Sequence, residues 1–213
     1  RSFPFKKVKI DRSFVHDVSE HPDKLAIVRS IADLASELDA IAQAAQSLFG
    51  RLDGRQLNWK PNAASWSVAQ CFDHLLSTNR EMFQAVAAAL EAGRPRTVWQ
   101  RLPVLPRIFG TLMIRSQGPQ VNLKFTAPRK STPVSSTIDP QIIGCFVAHQ
   151  REAVARVRSL EEVDVARAIM ISPFVPVITY SVLDACRLIV AHERRHCEQA
   201  RRVTERAEFP PPA

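Results

Sequence analysis

Near the C-terminal end of this 213-residue chain stands the string His192-Glu193-Arg194-Arg195-His196, a His-Glu-x-x-His pattern. At 3.6 residues per helical turn, positions four apart lie about 40° apart on one face, so both imidazoles can reach one metal ion. The residues nearest that face include Val182, Ala185, Leu188, Ile189, Gln199, Ala200 and Val203; the rest of the circumference holds Asp184, Arg187, Arg194, Arg195, Glu198, Arg201 and Arg202. Both histidines therefore fall on the stripe expected to be buried. A lone inward histidine is usually a core residue bonded to a neighbour, but a stacked pair beside a carboxylate points to a metal site. Glu193, about 100° round from His192, is the candidate catalytic residue, placed either to reach a ligand of the ion or to orient a neighbour. Gln199, almost one turn beyond His196, is a candidate hydrogen-bond donor behind the ligands.

Two histidines need a third ligand. In a zincin peptidase Glu193 would be the general base, but the extended form of that motif requires Gly and His where this chain has Gln199 and Arg202. The other form needs a carboxylate on a further helix, and only 17 residues follow His196. A motif counts only with its structural context, and the peptidase reading is the weaker one. The third ligand is better sought upstream, among His16, His21, His74 and His149. His74 stands at the edge of an apolar helical stripe, which suits a side chain facing an interhelical cleft, and His149 is the runner-up.

Helices must position these side chains. Apolar residues at Leu25, Val28, Ile31, Leu34, Leu38, Ile41, Ala45 and Leu48 specify an amphipathic helix from Leu25 to Phe49, stopped by Gly50 and Gly54. Ser65 and Ser67 offer N-caps for a second helix reaching about Ala92. Asp139-Pro140 is expected to cap a third helix, to about Leu160, and a fourth runs from Ser181 to about Glu205 before Pro210 to Pro212. Between the second and third lies a proline-rich stretch with room for one short helix, Val104 to Arg115. Strand signals are confined to Val121 to Phe125 and Ala168 to Ile171. Four long amphipathic helices joined by a long central crossover predict an all-α four-helix bundle.

Composition bounds the function classes. An apolar fraction of 46% is that of a soluble globular protein, and the greasiest stretch, Phe174 to Val190, is broken by Pro176, Asp184 and Arg187, so no membrane span is expected. No secretory signal is visible, and a start at Arg1 suggests a processed or truncated piece of a longer reading frame. Cys71, Cys145, Cys186 and Cys197 are scattered without a Cys-x-x-Cys pair and read as reduced thiols of a cytoplasmic protein. The net charge of +8 comes from one place: Gly93 to Ile138 holds eight basic residues and no acidic one, while the remainder balances 21 against 21. Such a segment can attract anions, but without interleaved aromatics it reads as a solvated connector, and no nucleic-acid partner is expected.

The stretch Asn58-Trp59-Lys60-Pro61, Trp66-Ser67 and His74-Leu75, followed much later by Ala191 to His196 and Gln199 to Val203, resembles the DinB/YfiT-like superfamily over about Asp39 to Val203. That resemblance implies a four-helix bundle holding a divalent metal, zinc or nickel, on three histidines, which map to His74, His192 and His196. It further implies a small-molecule substrate and an activity such as thiol S-transfer with a low-molecular-weight thiol as co-substrate, since characterised members include mycothiol- and bacillithiol-dependent transferases and isomerases. Arginines of the acid-free segment would then meet the carboxylates of such a thiol. A non-catalytic metal-binding or structural bundle is the competing class, and a homodimer is a fair expectation for either. Residues Phe3 to Val15 and Ala26 to Ala35 resemble a strand and helix of EAL-type cyclic-di-GMP phosphodiesterases. Lys9 matches an active-site lysine of that family, but the metal-binding acids have no counterpart, so no phosphodiesterase activity is expected. The expected organisation is an EAL-like remnant over 1–22, docked or disordered, a bundle over 23–206 and a proline-rich tail over 207–213.

Overall fold

A computed structural model describes residues 22–92, 110, 111, 114 and 135–212. Its elements are α1 (Pro22–Phe49), α2 (Gly54–Asn58), α3 (Val68–Ala92), α4 (Ile142–Arg158), β1 (Ile169–Ile171), β2 (Thr179–Ser181) and α5 (Val182–Thr204). The four long helices follow the apolar periodicity. Helix α1 packs chiefly on α4 and α3 chiefly on α5, while α1 against α5 and α3 against α4 close the ring. The consecutive helices α1 and α3 thus stand diagonally, as do α4 and α5. In chain order the longest link between helices, residues 93–141, joins α3 to α4. The fold is all-α, as expected from the sequence, with one small hairpin among the described residues. All but the last residue of the expected 1–22 remnant, the Val121–Phe125 candidate strand, most of the Val104–Arg115 candidate helix and nearly all of the basic segment lie outside the described residues.

Local chemistry sets the helix ends. Ser67 and Gln70 form a reciprocal cap on α3: Ser67 Oγ accepts from the Gln70 N–H, and Gln70 Oε1 accepts from the Ser67 N–H, each at 3.1 Å. Ser181 caps α5 by accepting from the Asp184 N–H at 3.0 Å. Gly50 closes α1 because a β-carbon there would fall 2.5 Å from the Gln46 carbonyl oxygen. Gly54, expected only as a stop, instead opens α2, because Asp53 and Gln56 supply a second reciprocal cap. The expected Asp139 cap of α4 is displaced: its carboxylate accepts from the Gln141 N–H at 2.8 Å, one residue before the first turn. The candidate strand at Ala168 to Ile171 is real as β1, and its antiparallel partner β2 pairs Met170 with Tyr180.

The core runs the length of the bundle. At one end Phe72 meets Phe49 at 5.3 Å and Phe146 at 4.9 Å, both edge-on, which joins α1, α3 and α4. The C-terminal residues pack as well. Phe209 stands edge-on to Trp59 at 5.6 Å, and the carbonyls of Pro210 and Pro211 accept hydrogen bonds from Gln56 and Arg55 of α2. Asn58 ties the same corner to the start of α4 by bonding both ways with the backbone of Ile138. No helix among the described residues is long and apolar enough to cross a membrane.

Candidate metal centre

Helices α3 and α5 carry the site. His74 lies two turns into α3, and its ring is 5.0 Å from that of His192 and 4.6 Å from that of His196; the latter two are 4.6 Å apart. Nε2 of His74 faces Nε2 of His192 at 3.1 Å. One ring nitrogen from each of the three lies within 4.8 Å of the others. His74 and His196 are buried, while His192 is partly open to solvent. Three nitrogens gathered this closely without a carboxylate among them are a neutral, borderline-soft donor set of the kind zinc and its first-row neighbours prefer.

Electrostatics disfavour charge on His192 and His196. Burial pushes His192 well below the ordinary histidine range and brings His196 down to about 3. The neighbouring rings add to both shifts, because two imidazolium ions cannot share so small a space. Gln199 works weakly in the opposite direction on His196. Nδ1 of His196 is buried without a hydrogen-bond partner, an uncommon state for a ring nitrogen at this depth. An orphaned ring nitrogen on His196, beside two rings whose Nε2 atoms face each other at 3.1 Å, fits a cation shared by the three. An ion bonded at about 2 Å needs its ligand nitrogens roughly 3.3 Å apart, close to the 3.1 Å between Nε2 of His74 and Nε2 of His192.

Trp66 supplies one wall. Its ring stacks on His196 at 5.6 Å and 18°, and lies 4.9 Å from His74. The loop that presents it runs from α2 to the Ser67 cap, so the Trp66-Ser67 pair both starts α3 and covers the site.

Glu193 stands elsewhere. It is 0% exposed, and its two carboxylate oxygens accept from Asn79 Nδ2 at 2.6 Å and from Gln150 Nε2 at 2.5 Å. Burial raises its carboxyl to about 7, against the pull of both amides. Asn79 and Gln150, buried at 1% and 0%, are functional candidates to which helix periodicity assigned no role, though it sets Asn79 on the apolar face of its helix. The only signal was a polar letter on an otherwise apolar face. His149 is not part of the cluster: it lies on α4 beside Phe83 at 6.2 Å, its Nε2 buried and unpaired. His16 and His21 lie outside the described residues.

A sequence profile described as the DinB superfamily matches residues 37–200. The chain belongs to the DinB superfamily. A 41-residue stretch of this DinB-superfamily chain is also 46% identical to "Uncharacterized protein y4lL" of Sinorhizobium fredii (strain NBRC 101917 / NGR234), covering 19% of the chain and 5% of that protein. The chain thus spans a small fraction of that relative's length. No solved structure matches. Family membership and the gathered histidines agree: this is a DinB-like protein with a group able to hold a metal ion.

Proposed function

We propose that the chain is a metal-dependent enzyme of the DinB type, holding a divalent ion, zinc or nickel, on His74, His192 and His196 and acting on a small molecule, with thiol S-transfer as the reaction class. The observation that carries it is the convergence of one ring nitrogen from each of three histidines, on two helices, within 4.8 Å. When bound, such an ion supplies Lewis acidity and an open position that lowers the pKa of a thiol or water. The chain's own residues do the rest. His74 and His196 hold the deep side of the site, His192 forms its open side, and Trp66 excludes water from one face. Four unpaired cysteines fit a reducing cytoplasmic setting. The bundle over 23–206 is read as one functional unit, active alone or as a homodimer.

A second reading, a metal-holding bundle without turnover, is favoured by one observation: both Glu193 oxygens are engaged inside the core, so the carboxylate next to the ligands has none free for a substrate. The same observation argues against a peptidase, whose general base must reach the attacked group. The test is elemental analysis of untagged, chelator-free protein beside His74→Ala and His192→Ala variants. About one equivalent of zinc or nickel, lost in both variants, supports the site; thiol-dependent consumption of an electrophile by the loaded protein alone then separates enzyme from structural bundle. Absence of metal after reconstitution would overturn both readings.

A further inference from the structure

We propose that Glu193 is a positioning residue: clasped by Asn79 of α3 and Gln150 of α4, its carboxylate fixes the rotation of α5 that presents His192 and His196 to His74. The inference rests on the metal-site reading above and deepens it. Glu193 follows His192 directly, so the clasp and the ligands share one turn of α5. Asn79 follows His74 by five residues, so they share adjacent turns of α3. Gln150 belongs to α4, the helix diagonal to α5, which places the carboxylate at the centre of the bundle, where one group can restrain three helices.

Magnitudes favour this role. Side chains lie about 6 Å from a helix axis, so turning α5 by about 20° would displace a ring by about 2 Å, a whole metal–nitrogen bond length. On the outer side an ion pair from α5 to α1, Arg194–Glu37 at 3.2 Å, has side chains 60% and 36% exposed, and such surface pairs constrain little. Stability alone does not account for a sealed carboxylate, because an apolar side chain of similar size avoids the desolvation cost. Gln150 Oε1 is left buried without a partner, so the amide is oriented by its bond to Glu193 and not by its own complete satisfaction.

The test uses the full chain loaded with Co²⁺, whose visible absorption reports ligand geometry, and Zn²⁺ competition for affinity. Glu193→Gln and Asn79→Ala should each weaken binding about tenfold and alter the Co²⁺ spectrum, as changes behind metal ligands do. The double variant should bind no worse than the weaker single one, because both break one connection. Asn79 carries no charge, so its effect separates positioning from a direct electrostatic action of Glu193 on the ion. Wild-type affinity and spectrum in the single variants, or additive losses in the double, overturn the inference while leaving the metal site standing. If Asn79→Ala does not fold, Gln150→Met removes the other donor at equal volume and carries the same expectation. Wild-type protein that takes up no ion overturns the metal reading itself.

Discussion

At the scale of single residues, the site is a set of side chains kept in unusual states by burial, and each state has a measurable consequence. Trp66 stacks on one candidate ligand and touches another, so its emission should report occupancy: Ni²⁺ should quench intrinsic fluorescence, and Trp66→Phe should remove most of that quench while retaining the ion. Trp66→Ala should open the wall and speed loss of metal to a chelator by about tenfold, the range seen when groups behind metal ligands are removed. Unchanged quenching in Trp66→Phe would show that the ion binds away from this ring. The cysteines make a second case. Burial pushes Cys186 and Cys197 up to about 12 and Cys71 higher still, so at pH 8 only about one in ten thousand of such thiols is ionised. Cys145 is exposed near the start of α4. A chromogenic disulfide reagent at pH 8 should therefore label Cys145 rapidly and reach Cys71 and Cys186 only in denaturant. A second fast thiol persisting in Cys145→Ser would contradict the packing of α3 against α5.

Single elements show which parts of the molecule the amino-acid order makes legible. The long helices are readable because each buries a continuous stripe, and the Ser67 and Ser181 caps because the bonds they make span only three residues. His192 and His196 are readable for the same reason of local periodicity. Glu193 is readable only in part: the wheel sets it about 100° from His192, beside the site, and what draws it into the core is a pair of amides 114 and 43 residues away in the chain. The short elements escape in the same way. Helix α2 spans five residues and is held by the C-terminal prolines, and β1 finds its partner only after a turn. That docking yields a prediction at this scale. Phe209→Ala removes an aromatic pair worth about 0.5–1.5 kcal/mol beyond its buried area, and should lower the midpoint by about 2–4 °C. Because α2 leads into the Trp66 loop, the same variant should also release metal faster. A midpoint and release rate equal to wild type would mean that the tail is not anchored in solution. Ser67→Ala tests the other end of that loop, at about 1 kcal/mol for a lost N-cap.

At the scale of the whole molecule, the fold spends stability on holding polar groups at its centre. An apolar bundle of this length needs no sealed carboxylate, since the desolvation that raises Glu193 to about 7 is a cost the native state carries. Removing one member of the clasp strands the others, and an unsatisfied buried polar group costs about 1–3 kcal/mol, so Asn79→Leu alone should destabilise the metal-free protein. Replacing all three together, as Asn79→Leu with Glu193→Met and Gln150→Met, keeps volume while leaving nothing unsatisfied. The metal-free triple variant should then unfold at the same temperature as wild type or above it. If the clasp exists to set helix rotation, that stabler protein should bind Co²⁺ more weakly, because apolar contacts fill space without specifying one rotation of α5 about its axis. Calorimetry beside a metal titration separates the two contributions. A triple variant that is less stable than any single one would show that the clasp holds the bundle together, whereas one that is stabler and binds metal as wild type does would show that packing alone presents the histidines.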